Sequence, residues 1–570
     1  MFKPSSRPPS SERTVLDSGP DTSSSSKRSK GVGDVAPALG QPASEQDQDQ
    51  DPNAQPYITG SKLLIIVTCL TLILFLVILD TSIISTAIPQ ITDEFHSLQD
   101  VGWYASAYSV ASAALQPLTG KIYQKFSLKW SFLWFLTAFE IGSLLCGVAT
   151  SSTMLIVGRA VAGMGTSGIF TGGLAIVTAC APLHRRPALI GLMMGVSQIG
   201  MVSGPLIGGA LTQYSTWRWC FYINLPVGGV AALYLILISL PEQTKKEPAL
   251  SVLPSLHRHL DLVGFVLMAP ATIQLLLALE FGGTRFPWSS ATVIGLFCGA
   301  AGTFAVWFAW NWHRGDAALV PMSIFWRRTV WASAVMQMSL SAALLCTSYF
   351  LPIYFQAVMG ASPLTSGVYL LPSVLSQVLG VVVSGFLVQR TGYVVPYALA
   401  SAAIAAVGTG LFSLFSPTTS TGMWVGIQIL AGVGRGIGLQ MGMLAVQTVL
   451  SAEETSIGFA LLMFAQFIGS SIWMVVASTV FNQSLASELA ANVPGTDPGR
   501  IIAVGATGFR QLPDLSPEDM AAILWSYANA TDRTFYVPAA ISALAFCVAP
   551  FMGWVDLRRK NPEAGAVVEV

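Results

Sequence analysis

The chain has 570 residues, of which 53% are hydrophobic and 10% charged, and its formal net charge is zero. A soluble domain carries roughly 25% charged residues, so this composition excludes a water-soluble fold for most of the chain. The balanced charge gives no reason to expect nucleic acid or an acidic partner; what matters is where Lys and Arg lie relative to a bilayer.

Residues 1–60 are rich in Ser, Asp, Gln and Pro and include the basic run Lys27-Arg28-Ser29-Lys30. They hold too little apolar surface to build a core and read as a disordered cytoplasmic tail. The basic run also fits a nuclear-localisation pattern, but on so apolar a chain it reads as part of that solvated tail. No apolar leader core lies near Met1, so the first apolar block is expected to serve as the targeting signal.

Blocks nearly free of charge then follow near 63–88, 101–119, 130–149, 153–175, 188–211, 219–240, 261–281, 291–312, 330–355, 364–389, 394–415, 421–447, 457–481 and 535–555. A helix of about twenty residues crosses the roughly 30 Å hydrocarbon core. The expected fold is therefore an all-α integral membrane protein of about fourteen spans. Cys69, Cys146, Cys180, Cys220, Cys298, Cys346 and Cys547 lie in or at the ends of these blocks. They lack the close spacing of metal or redox motifs and read as packing residues, with no disulfide and no metal site expected.

Basic residues are retained on the cytoplasmic face. With the N-terminus inside, about 22 Lys and Arg fall on cytoplasmic segments and 5 on outer ones (Arg218, Arg285, Arg500, Arg510 and Arg533), leaving Arg159 and Arg435 within spans. Both termini are thus expected in the cytoplasm. The sequons at Asn482 and Asn529 fall in the segment 482–534, read as a long outer loop where N-glycosylation is allowed, Asn529 being the better acceptor because Asn482 abuts a span.

Two patterns recur in register. Gly120, Gln124 and Lys125 follow the second span, and Gly385, Gln389 and Arg390 follow the tenth at the same spacing; Gly158-Arg159 and Gly434-Arg435 lie in the fourth and twelfth. Transporters are often built from two similar halves that rock about a central site. The chain reads as a six-helix bundle over 61–240, an inserted two-helix segment over 241–328, a second bundle over 329–556 and a cytoplasmic tail over 557–570.

Intramembrane charges are the sharper signal, because a charge at the bilayer centre costs roughly 2.5 kcal/mol or more and persists where it faces a cavity or a partner. Asp80, Glu140 and Arg159 are the candidates for proton coupling, with Arg159 as a fixed positive charge that tunes a nearby carboxylate. Asp80 reads either as that carboxylate or as a helix-end residue, Glu140 as a second proton carrier, and Arg435 as a packing or electrostatic counterpart. Gly200, Gly204, Pro205, Gly208 and Gly209 in the fifth span combine a helix-kinking proline with glycines that admit a neighbouring helix, which suits a hinge or close packing. Tyr354 and Gln356 are candidates to line an apolar cavity, against the alternative that span-end aromatics anchor at the interface.

Several ordered segments carry a family resemblance. They are Leu79-Asp80-Thr81-Ser82-Ile83 through Pro89 in the first span, Gly158-Arg159 through Gly163 and Gly165 in the fourth, and Gly200 through Gly204-Pro205 to Gly208-Gly209 in the fifth. Trp217-Arg218-Trp219 through Asn224-Leu225-Pro226, Pro352 to Gln356 and Ser366-Gly367 to Pro372 extend the likeness. Over about 60–560 the chain resembles the major facilitator superfamily, and within it the fourteen-span drug:proton antiporters of the fungal toxin and multidrug efflux type. The resemblance implies proton-coupled export of a lipophilic or amphipathic small molecule such as a toxin, secondary metabolite or drug. It also leans the fifth-span motif toward a hinge. One departure stands out: Gln124 occupies a position where the family usually has Asp, which puts a charge relay from that loop to Arg159 in doubt.

No phosphate-binding loop, His-Glu-x-x-His or Gly-x-Ser-x-Gly motif occurs, so neither an enzyme nor an ATP-driven pump is expected, and no cofactor. The expected partners are a small-molecule substrate, protons and the lipid bilayer, with no nucleic acid and no ATP. The expected location is the plasma membrane, with a vacuolar or vesicle membrane as the alternative. Uptake of a siderophore or other small molecule is a second transporter reading, and a non-transporting receptor or sensor is the reading from another class.

Overall fold

The computed structural model describes residues 57–97, 100–242, 246, 260–283, 285–493, 498–503, 508–511 and 515–558. Most of the expected tails, 1–56 and 559–570, lie outside the described residues. Long helices build the rest: α1 (Ser61–Phe95), α2 (Val101–Lys125), α3 (Leu128–Gly147), α4 (Ser152–Cys180), α5 (Arg186–Tyr214), α6 (Trp219–Leu237) and α7 (Leu262–Phe281). They continue as α8 (Ala291–Arg314), α9 (Arg328–Val358), α10 (Leu364–Thr391), α11 (Val395–Leu411), α12 (Thr421–Val449), α13 (Thr455–Asn492) and α14 (Pro517–Val548). Thirteen helices among the described residues are long and apolar enough to cross a membrane. The exception is α2, where Gln116, Thr119, Lys121 and Lys125 interrupt the apolar run. Two of these side chains are engaged by the protein: the Gln116 amide donates to Thr171 on α4 at 2.7 Å, and Thr119 reaches the same hydroxyl at 3.2 Å.

The expected outer loop 482–534 is mostly helix. α13 continues to Asn492, and α14 starts at Pro517 behind a capping box in which Ser516 and Asp519 satisfy each other's backbone groups. Hydropathy does not register these turns because their polar side chains pair with one another. Asn529 donates to Glu488 at 2.8 Å and Arg533 pairs with Glu488 at 2.6 Å. Asn529, the sequon preferred from the sequence, is therefore half-buried and engaged within a helix, while Asn482 is the exposed one.

Helix pairing repeats between the halves: α1 packs on α5, and α2 and α3 on α4, just as α9 packs on α13, and α10 and α11 on α12. The two halves touch through α5 with α10 and through α2 with α13, the same pair of positions exchanged, while α7 and α8 pack on each other and α7 rests on α2. Where helices meet without a hydrophobic driving force, small residues let backbones approach. The stripe Gly200, Gly204 and Gly208 does this on α5: a Cβ at these positions would lie 2.7 Å from Phe75 O, 1.9 Å from Ser82 Oγ and 2.3 Å from Thr86 Oγ1.

At one end the halves close on each other through the repeated glycines. A Cβ at Gly120 would sit 2.9 Å from Ala460 Cβ and Ile457 Cα of α13, and one at Gly385 would sit 2.6 Å from the Pro187 carbonyl of α5. Arg186 adds a hydrogen bond across this end to Gln447 of α12 at 3.1 Å. The α2–α3 turn beside it is strapped by Lys246, whose ammonium donates to the carbonyls of Tyr123 and Gln124 at 3.1 and 2.6 Å; burial lowers that ammonium below its ordinary range. Gln124 is therefore held by its backbone, and its buried side-chain oxygen has no partner among the described residues.

The other end is open. Its rim is tied by Arg218, which forms a bidentate pair with Glu94 at 2.9 and 3.0 Å and also donates to the Ala149 carbonyl at 2.8 Å. Hydrogen bonds from Arg218 and Trp217 hold the Glu94 carboxyl below the usual carboxylate range. A cavity of about 1070 Å³ lies between α1 and α5 on one side and α9 and α10 on the other.

Leucine at Gly120 or Gly385 overpacks the closed end at an expected cost of about 1–3 kcal/mol, a cost avoided when the halves separate there. Spin-label distances between positions 185 and 389 should lengthen in Gly120→Leu and Gly385→Leu. They should not change in Gly209→Leu, where a Cβ has open space around it. Unchanged distances in both gate variants would refute the role assigned to these glycines.

Candidate functional site

The cavity wall is uncharged. Hydroxyls and amides such as Thr81, Ser82, Gln198, Gln356, Ser373 and Gln377 stand among aliphatic and small side chains. Sequence-predicted Gln356 lies in this wall, as do Pro205 and Gly209 of the fifth-span motif, whereas Gly200, Gly204 and Gly208 face α1. Tyr354 does not line the cavity. It is fully buried, donates to the Ser416 carbonyl at 2.8 Å and packs edge-on against Phe355 and tilted against Phe415, because the short π-helical turn 354–358 rotates it into the aromatic core.

Directly behind the cavity wall, the residue before Thr81 forms the principal electrostatic contact of the first half. Asp80 Oδ2 accepts from Arg159 Nη1 at 2.5 Å, and both residues are 1% exposed. Arg159 Nε donates to the Tyr104 carbonyl at 2.9 Å, and its guanidinium lies 4.3 Å from the centre of the Tyr108 ring. The second Asp80 oxygen accepts from Asn224 of α6 at 3.2 Å, and Asn224 also donates to Ser143 of α3 at 3.0 Å. Four helices thus meet on one carboxylate: α1 supplies it, α4 the cation, α6 the amide, and α3 the hydroxyl behind the amide. Removing one partner of a buried pair leaves an uncompensated charge, at about 3–5 kcal/mol.

Asp80 and Arg159, read from the sequence as a candidate carboxylate and the fixed charge that tunes it, are in direct contact. Asn224 was visible there only as part of the Trp217-to-Pro226 segment, and Ser143 and Tyr104 carried no signal because neutral polar residues are common in spans. Glu140 sits one turn before Ser143 on α3. Both its oxygens are buried without a hydrogen-bond partner among the described residues, with one pressed against Gly228 of α6. Arg435 is buried on α12 and donates to Ser373 at 2.6 Å, and its Nε and Nη1 have no partner among the described residues. Lys125, Gln389 and Arg390 lie at helix ends outside the cavity; the Arg390 carbonyl accepts from Arg558 at 2.9 Å.

This geometry agrees with the relatives of the chain. Residues 70–474 match the model of the Major Facilitator Superfamily. The chain is 52% identical over 507 residues to the MFS-type transporter pigP of Monascus ruber, covering 89% of each. It is 47% identical to the efflux pump mlcE of Penicillium citrinum, covering 92% of this chain and 98% of that one, and 41% identical to the efflux pump aflT of Aspergillus parasiticus, covering 90% and 99%. Among solved structures, the fold is similar to the transporter FucP in its outward conformation, with a TM-score of 0.54 at 14% identity, covering 87% of this chain and all of that one. These relatives are transporters and not enzymes, and the chain belongs to the major facilitator superfamily.

Proposed function

We propose that this protein exports a lipophilic or amphipathic small molecule in exchange for protons by alternating access. The observation that carries the reading is an uncharged cavity between two similarly built halves, with a buried carboxylate–guanidinium pair just behind its wall. Efflux also fits the names of the relatives at 41–47% identity. With both termini cytoplasmic, as the Lys and Arg distribution favours, the cavity faces outward and the glycine-packed end is the inner gate.

In that orientation Asp80 is the group that exchanges a proton. Protonation removes the negative charge that holds Arg159, Asn224 and the α1 backbone together, and in a low-dielectric interior this is a large change in interaction energy. Because α1 also forms the cavity wall and packs along the Gly200–Gly208 stripe, loosening the pair loosens α1 against α5 and lets the halves rock. Loss of the proton to the cytoplasm restores the pair and resets the outward state. Glu140, without a partner, is the second carboxylate from which a proton can be exchanged. The proposed location is the plasma membrane, which a fluorescent fusion distinguishes from a vacuolar one.

The test is accumulation of lipophilic dyes, anionic and cationic, in inside-out proteoliposomes with an acidic lumen. Wild type should accumulate at least one dye only while the gradient persists. Asp80→Asn should abolish gradient-driven accumulation yet retain gradient-independent exchange. Accumulation that survives collapse of the gradient, or that is unchanged in Asp80→Asn, would overturn proton coupling through this residue.

Glu140→Gln separates the two carboxylates. If Asp80 alone couples, Glu140→Gln should keep gradient-driven accumulation near the wild-type level, and its melting temperature in detergent should change little, since one buried polar group without a partner replaces another of the same shape. Loss of accumulation in this variant would transfer the coupling role to Glu140.

A further inference from the structure

The two buried arginines occupy repeated positions, but among the described residues only one has a counter-ion. Arg159 is met by Asp80, which is followed by Thr81 and Ser82 in the cavity wall. In the second half, the same wall position is taken by Thr347 and Ser348 of α9, and the residue before them is Cys346. Cys346 is buried and directs its thiol to the Trp473 carbonyl. The second half thus carries a buried guanidinium with Cys346, not a carboxylate, before its wall hydroxyls.

Arg435 nevertheless stays 2% exposed within the membrane-spanning part of α12. Among the described residues its one hydrogen-bond partner is Ser373 of α10. Gly432 and Gly436 bring the α12 backbone onto α10, where a Cβ would lie 2.3 Å from the carbonyls of Ser373 and Gln377, and Arg435 Nη2 donates to the Ser373 hydroxyl of α10 at 2.6 Å. Ser373 is a residue of the cavity wall, one helical turn from Gln377, which also lines it. Accepting a hydrogen bond from Arg435 uses one lone pair of Ser373 Oγ and leaves its proton free to donate into the cavity. An arginine keeps its charge across the physiological pH range, and an unpaired buried charge is unfavourable by several kcal/mol.

We propose that the floor of the cavity, Ser373 and Gln377 backed by Arg435, is a binding site for an acidic oxygen of the transported molecule, a carboxylate or an ionised enol, which supplies the counter-ion missing from the second half. This inference rests on the export reading and narrows its substrate class to amphipathic molecules with an acidic group. The acidic oxygen accepts the Ser373 proton, and the guanidinium one hydroxyl away supplies charge attraction through a low-dielectric medium. The apolar part of the molecule occupies the aliphatic walls contributed by α5 and α9.

The experiment compares pyrenebutyrate with its methyl ester on the full chain in nanodiscs, read by energy transfer from tryptophan to pyrene. No pH gradient is applied, so failure here is separable from failure of proton coupling. Wild type should bind the acid about tenfold more tightly than the ester, the worth of one charge-assisted hydrogen bond. Arg435→Gln should reduce the preference to within about twofold while ester binding is unchanged, and Arg435→Lys should retain part of it. Ser373→Ala, a wall substitution that leaves the buried charge in place, should reduce the preference similarly and serves if Arg435→Gln does not fold. Equal binding of acid and ester by wild type, no saturable binding of the acid, or a preference that persists in both Arg435→Gln and Ser373→Ala would overturn the proposal.

Discussion

An ion in hydrocarbon must be paired, and the first half of this protein is organised around one such pair. Asp80 and Arg159 are carried by helices that each have another principal neighbour, α5 for α1 and α3 for α4. Their contact at 2.5 Å ties those pairs of helices into one bundle. Asn224 donates to the second Asp80 oxygen and the Tyr104 carbonyl accepts from Arg159, so neither ion of the pair rests on the other alone. Helices with little hydrophobic reason to associate in lipid thereby gain a specific register.

Close packing supplies the rest. On α5 the four-residue glycine stripe puts backbone against the backbone and short hydroxyls of α1, and Gly120 and Gly385 do the same between the halves. Such contacts are all-or-none: a backbone in van der Waals contact either stays there or separates, and this is the bistability a rocking mechanism requires. The cavity is the complement of these contacts, lying where the halves have separated while the opposite end remains packed.

The two halves have the same architecture and different electrostatics. The first keeps its charge neutralised within the protein, close to the cavity but screened by α1. The second keeps a guanidinium with a single hydroxyl between it and the cavity. One fold repeated twice thus holds a self-contained ion pair on one side and an incomplete one on the other, and the incomplete one is where a ligand of opposite charge gains most.

Much of this was determined by the sequence alone. Charge-free blocks of membrane-spanning length locate all fourteen long helices, because lipid forces every backbone polar group into an intrahelical bond and so couples hydropathy directly to secondary structure. The repeated Gly-Arg and glycine-loop patterns announce the two halves, and the cost of intramembrane charge picks out Asp80 and Arg159. Tertiary structure alone decided the remainder. It brought Asp80, Arg159, Asn224 and Ser143 together from four helices, a convergence that no local period encodes. It extended α13 and α14 through polar turns whose side chains satisfy one another, placing Asn529 against Glu488. It rotated Tyr354 into the core through a π turn and assigned the fifth-span glycines to α1 while leaving Pro205 and Gly209 to the cavity. In each case the deciding quantity was which neighbour a side chain meets, and that depends on how helices pack rather than on how polar any one stretch is.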